Sequence, residues 1–142
     1  MRVHEVMTIH LSECTAETKI ADIAKMMLDE DCGAIPVIES QDNPKPVGII
    51  TDRDIVIRSI ALGKNPLEMK ASECMTSEVF TIDEDAQLSD CYDVMINNKV
   101  RRVIVLDSNG SVKGIVSQAD IAVNAPDADT AGVVERISQP VE

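Results

Sequence analysis

Gly48-Ile49-Ile50-Thr51-Asp52-Arg53-Asp54-Ile55 recurs as Gly114-Ile115-Val116-Ser117-Gln118-Ala119-Asp120-Ile121. Each stretch reads glycine, two aliphatics, a hydroxyl residue, two variable positions, aspartate, isoleucine. The correspondence extends upstream: Met7-Thr8 matches Met75-Thr76, Ile20 matches Leu88, Asp22 matches Asp90 and Met27 matches Met95. The spacing is constant until the loop from Gln41 to Pro46, which is two residues longer in the first copy. An internal repeat makes the functional question one about two copies of a small unit. The sequence divides into a first repeat over 1–66 and a second over 67–142, the latter carrying an additional helix at its end.

Each copy is expected to run strand, helix, strand, strand, helix, an α+β chain. Leu11–Cys14 and Val79–Ile82 are short polar-apolar stretches bounded by turn residues and are expected to be strands. Apolar positions then recur at helical spacing, Ile20, Ile23, Ala24 and Met27 in one copy and Leu88, Cys91, Tyr92 and Met95 in the other. Ala34–Ile38 and Arg102–Leu106 are nearly continuous apolar runs, as buried strands require. Val47–Ile50 and Val112–Val116 give the last strands, after turns rich in Asp, Asn, Ser and Pro. Asp52–Leu62 and Gln118–Asn124 are expected to be closing helices, with Gly63 at a helix C-terminus. Ala71–Cys74 leads into copy two, and Asp127–Ser138 reads as an extra helix.

The chain has 142 residues, is 44% hydrophobic and carries a formal charge of -12. A copy of about 65 residues buries only roughly 60% of its chain surface alone, so pairing of the copies is expected. Phe80 and Tyr92 are the only Phe, Tyr or Trp, so the core is aliphatic and Met-rich. That scarcity removes the stacking platforms of single-strand nucleic-acid binders. The acidity likewise argues against a nucleic-acid backbone or an anionic membrane. It leaves a small anionic ligand open, because local donors outweigh a distant, screened field. No signal-like apolar run opens the chain and no stretch is long enough to span a bilayer, so a cytoplasmic protein is expected. Cys14, Cys32, Cys74 and Cys91 lack metal-like spacing, and their counterparts are Ile82, Val100, Val6 and Ile23. They read as small buried hydrophobes, the other reading being a metal role with His4 or His10. The aliphatic helix stripes of both repeats predict a homodimer.

Thr51 ends a strand and Asp54 stands in the first turn of the next helix; Ser117 and Asp120 repeat this. Free N–H groups there favour a phosphate, and the hydroxyl adds a donor. A carboxylate three residues on can accept both hydroxyls of a ribose, as acidic residues do in dinucleotide-binding folds. The preceding glycine leaves room for a ligand or a neighbouring backbone. The same hydroxyl-carboxylate spacing also makes a capping box, which needs no ligand.

These segments, the repeated Met-Thr and Gly33-Ala34-Ile35-Pro36-Val37 together resemble a pair of CBS domains, the Bateman module, over Val6 to Ala125. Thr51 to Arg58 is similar to stand-alone CBS pairs, including the hypoxic response protein group. The resemblance implies two repeats packed by their sheets about a pseudo-two-fold axis, with two clefts for adenosine-type ligands such as AMP, ADP, ATP or S-adenosylmethionine. It carries ligand contacts onto Thr51 with Asp54 and Ser117 with Asp120. It assigns the base pocket to Ala34, Ile35 and Pro36 and to Arg102, Val103 and Ile104. Arg53, matched by Ala119, and Arg101 and Arg102, matched by Gly33 and Ala34, are candidate phosphate contacts; the other reading is surface ion pairs. A regulatory module without catalysis or a required cofactor, acting through an unidentified protein target, is implied. A ligand-free dimerisation scaffold is the alternative. Asp54→Ala or Asp120→Ala is then expected to remove ligand binding with little loss of stability.

Overall fold

The apolar stripe from Ile20 to Met27 folds as α1 (Ile20–Glu30), which follows Thr8–Ile9 (β1) in a computed structural model describing residues 1–9, 12–124 and 127–138. Ile20, Ile23 and Met27 are buried, whereas Ala24 is exposed and Met26 packs at the core's edge instead. The chain continues through β2 (Ala34–Ile38), β3 (Pro46–Thr51), α2 (Asp52–Arg58) and α3 (Ala71–Cys74). The second copy follows with β4 (Thr81–Asp83), α4 (Leu88–Asn98), β5 (Arg102–Leu106), β6 (Val112–Ser117) and α5 (Gln118–Asn124); α6 (Asp127–Ser138) comes last. The mixed α+β content and the tandem repeat are those expected. Burial of each core isoleucine contributes roughly 1.5–3 kcal/mol.

Helices α1 and α4 stop in the same way. Asp31 and Lys99, equivalent residues, adopt left-handed backbone at φ 51° and 53°. Behind them Cys32 donates its N–H to the Met27 carbonyl and Val100 to that of Met95, each at 3.1 Å. This closure usually uses glycine; here both copies bear the strain of a side chain.

The first closing helix is shorter than expected. It ends at Arg58 because the buried Ser59 hydroxyl donates to the Ile55 carbonyl, and a 3-10 turn, Ile60–Leu62, continues to Gly63. Gly63 is left-handed at φ 74°, the stop its position indicates.

Compact units and sequence copies are cut differently. One unit comprises Met1–Ile9 with Phe80–Glu142, the other His10–Val79. In the first, the sheet order is β1-β6-β5-β4, with β1 antiparallel to β6 and β4 parallel to β5. In the second, β2 and β3 pair antiparallel, flanked by single bridges from Thr76 to Ile49 and from Cys14 to Val37. The Met-Thr segment heading each copy therefore pairs with the last strand of the other copy. Each compact unit thus contains the Met-Thr segment that heads the other sequence copy.

The expected strand at Leu11–Cys14 reduces to one bridge at Cys14, Leu11 lying outside the described residues. Proline explains the difference from β4. Ile104 donates its N–H to the Phe80 carbonyl at 2.9 Å, whereas Pro36, its counterpart, has no N–H to give.

Each unit has its own aliphatic core. One gathers Ile20, Ile23, Met27, Ile35, Val37 and Ile50; the other gathers Leu88, Met95, Val103, Val105, Val116 and Ile121, with Val133 and Ile137 of α6. Cys14, Cys74 and Cys91 are buried and Cys32 is half-buried, with no disulfide among them. Burial pushes the Cys14 and Cys91 thiols up to about 12. They pack as the aliphatic residues standing at their counterparts do.

Candidate functional site

The turn from β3 into α2 is a reciprocal cap. Asp54 donates its N–H to the Thr51 hydroxyl at 3.0 Å, and Thr51 donates its N–H to Asp54 Oδ2 at 3.0 Å. The other carboxylate oxygen, Oδ1, accepts the Thr76 hydroxyl at 3.3 Å and lies 3.9 Å from Arg58 Nε. Arg58 also donates to the Met75 carbonyl at 3.0 Å and to the Thr76 hydroxyl at 3.4 Å. Asp54 is only 9% exposed.

The turn from β6 into α5 repeats the design with different partners. Asp120 donates its N–H to the Ser117 hydroxyl at 3.1 Å, while Asp120 Oδ2 accepts the Ser117 N–H at 2.9 Å and its hydroxyl at 3.0 Å. Oδ1 accepts the Thr8 hydroxyl at 2.7 Å. No arginine stands at the position of Arg58: Asn124 does, and its side chain donates to the Asp120 carbonyl at 3.2 Å.

The motif glycines admit backbone. A Cβ on Gly48 would lie 2.9 Å from the Thr76 carbonyl oxygen, and one on Gly114 would press still closer on that of Thr8. Glycine, the Met-Thr threonine and the aspartate thus form one clasp in each unit. Thr8, Thr76 and Arg58 are not among the site residues that the sequence singles out. The repeated Met-Thr is the available signal, but along the chain it reads only as a marker of duplication.

Strand register sets the remaining candidates beside these turns. Ala34 faces Thr51 across β2 and β3, and Arg102 faces Ser117 across β5 and β6. Alternation turns Ile35 and Val103 into the core of their own unit, and places Ala34 and Pro36, like Arg102 and Ile104, on the opposite sheet face. Ile35 and Val103 therefore support the site as packing. Gly33 and Arg101 accept, through their carbonyls, the first N–H of α2 and α5, at 3.0 and 2.9 Å from Asp52 and Gln118. Arg53 and Arg101 are exposed and Arg102 is half-buried. Among the described residues, Arg58 pairs with Asp54 and Lys70 with Glu17, and His4 Nε2 lies 4.0 Å from Asp85 Oδ1, so no such contact uses these three arginines.

Among the described residues, no group of three or more His, Cys, Asp or Glu side chains is placed to hold a metal ion, and His10 lies outside them. No described helix is long and apolar enough to cross a membrane.

The CBS domain model matches residues 3–60 and 71–126, and the chain belongs to this family. Hypoxic response protein 1 of Mycobacterium tuberculosis is 35% identical over 118 residues, 83% of this chain and 80% of that protein. An uncharacterized protein of Methanopyrus kandleri, MK0525, is 36% identical over 100 residues, 70% of this chain but 50% of its own length. Among solved structures, Hypoxic Response Protein I with two coordinated zinc ions superposes with a TM-score of 0.75 at 29% identity, covering 89% of this chain and all of that one. CBS domain protein PAE2072 from Pyrobaculum aerophilum, complexed with AMP, gives 0.78 at 18% identity, covering 95% and 99%; that likeness is one of fold.

Proposed function

We propose that this chain is a non-catalytic regulatory module that senses an adenosine-type ligand: AMP, ADP, ATP or S-adenosylmethionine. One observation carries the reading: each unit holds a hydroxyl and a carboxylate, Thr51 with Asp54 and Ser117 with Asp120, beside the first residue of its middle strand. The carboxylate is the acceptor a ribose diol requires, and Ala34, Pro36, Arg102 and Ile104 are the neighbours of the base. Arg53, Arg101 and Arg102, outside the ion pairs, supply phosphate donors. AMP bound to PAE2072 supports the ligand class. Four cysteines without a cross-link support a cytoplasmic setting.

Self-association is part of the proposal. Val56, Ile57, Ile60, Leu62 and Leu67 are exposed along α2 and the turns after it, an aliphatic surface suited to a second copy in a homodimer. Light scattering at micromolar concentration is expected to give twice the chain mass of 15.4 kDa; the monomer mass refutes the dimer.

The reciprocal caps favour a second reading, a ligand-free scaffold, because both carboxylates already have partners. A thermal-shift series of adenosine, AMP, ADP, ATP and S-adenosylmethionine separates the two. A ligand at 100 times its dissociation constant adds about 2.7 kcal/mol, a shift on the order of 5 °C or more for a chain of this size. No shift with any of them, the chain being folded, leaves the scaffold.

A further inference from the structure

Two hydroxyls of the chain occupy the carboxylate oxygens that a ligand diol would use. In each unit, Oδ2 is committed to the backbone N–H of the turn: Thr51 to Asp54, Ser117 to Asp120. That bond holds the carboxylate against its own helix. The remaining oxygen, Oδ1, accepts Thr76 in one unit and Thr8 in the other. Asp120 is the more heavily engaged by hydrogen bonds, since its Oδ2 also accepts the Ser117 hydroxyl. A carboxylate oxygen offers about two acceptor directions, so a diol hydroxyl that reaches Oδ1 has to share that oxygen with the threonine already donating to it.

Where these threonines sit gives the competition a consequence. Thr8 closes the segment Met1–Ile9 just before the chain passes from the first unit into His10–Val79. Thr76 lies shortly before Val79, where the chain passes back. Thr8 also lies in β1, paired with Ile115, and Thr76 forms the bridge to Ile49. Each threonine thus ties a crossing segment to the carboxylate of the unit it is leaving.

We propose that Thr8 and Thr76 are built-in competitors of the ligand's cis-diol, so that binding trades the threonine hydroxyl for the ribose and loosens the crossing segment. This rests on the ligand class proposed above and adds a route from the site to the two chain crossings. The two clasps are unequal. Arg58 reaches Asp54, Thr76 and the Met75 carbonyl together, so losing the Thr76 hydroxyl leaves Asp54 and its segment still held. Among the described residues, no cation backs Thr8 in this way. The unit containing Asp120 is therefore the one whose threonine exerts the larger restraint on binding.

Calorimetric titration of the full chain and of Thr8→Val, Thr76→Val, Thr8→Ser and Thr76→Ser, with AMP and with 2′,3′-dideoxy-AMP, tests this. Valine keeps the branched shape and removes the donor; serine keeps the donor. Thr8→Val is expected to tighten AMP at one site about five- to tenfold, the order of one ordinary net hydrogen bond. Thr76→Val is expected to tighten it about two- to threefold, while the serine variants bind like the parent. Dideoxy-AMP, lacking the diol, is expected to bind all five proteins equally. AMP binding that is unchanged or weaker in both valine variants overturns the inference and leaves the ligand class standing. So does equal tightening for AMP and dideoxy-AMP, which reports general loosening. If parent and folded valine variants alike bind no AMP, both the inference and AMP as the ligand fall.

Discussion

Asp54 and Asp120 occupy the same place in two copies of one motif, yet they are restrained by different chemistry. Asp54 is buried and held by a backbone N–H, a threonine hydroxyl and an arginine. Asp120 is half-buried and held by the same kinds of N–H and threonine, with the Ser117 hydroxyl in place of the arginine. The difference shows how a duplicated unit becomes two unlike sites. The glycine, hydroxyl, aspartate and Met-Thr form the common frame, and two positions, Arg58 against Asn124 and Thr51 against Ser117, change the charge and the restraint.

The largest effect is expected from crowding the clasps. Gly114→Ala thrusts a Cβ into the Thr8 carbonyl and is expected to cost about 3 kcal/mol, Gly48→Ala about 1–2 kcal/mol, in urea unfolding. Equal costs would mean that the two crossing segments yield alike, removing the asymmetry.

Next come the carboxylates. The expectation that Asp54→Ala costs little stability treats Asp54 as an exposed first-turn residue; its burial and three partners correct that. Removing it strands the Thr51 N–H and frees Arg58, and is expected to cost about 2–3 kcal/mol. Asp120→Ala, less buried and without a cation, is expected to cost about 1–2 kcal/mol. Calorimetric melting that ranks them the other way breaks the comparison.

The thiols test where the units should agree. Cys14 and Cys91, one in each core, have folded-state values raised to about 12 by burial. For a raised acid, the unfolded chain ionises first. Stability is therefore complete below the ordinary thiol range and falls as pH climbs through it toward 12. The loss between pH 8 and pH 10 is expected to be about 1–2 kcal/mol per thiol. Cys14→Val and Cys91→Val should each remove a similar share of that slope in urea titrations. A slope unchanged by both variants would assign it to other groups.

The smallest effect is expected at the residue that distinguishes the sites. Arg58→Gln leaves the cap intact and removes a half-exposed cation, costing about 0.5–1 kcal/mol. Asn124→Arg asks whether the second clasp can be converted. A gain of a few tenths of a kcal/mol, reduced by added salt, is expected if an arginine there reaches Asp120. A salt-independent change would show that Asp120 is not its partner.

Much of the fold is legible along the chain because local pattern and local structure coincide. The apolar spacing of Ile20, Ile23 and Met27 needs only the helical period to be read. The strand at Arg102–Leu106 follows as directly from its aliphatic run. Thr51 with Asp54 and Ser117 with Asp120 are equally local, since a cap joins residues three apart. Ala24 departs from the expected stripe because periodicity indicates a stripe but not its width. Ile35 and Val103 fall in the core rather than the site because strand alternation shows two faces without saying which is packed on the helices.

The sequence by itself determined the duplication, the helices and the paired strands that follow α1 and α4, and the hydroxyl-carboxylate pairs, all encoded by spacing within a few residues or by similarity between copies. Only the tertiary structure decided that Met7-Thr8 serves the strand ending at Ser117 and Met75-Thr76 the strand ending at Thr51. It alone joined Thr8 to Asp120 and Thr76 to Asp54. The physical reason is that backbone pairing and hydroxyl-carboxylate bonds act in space, and a strand of two residues carries too little pattern to name its partner.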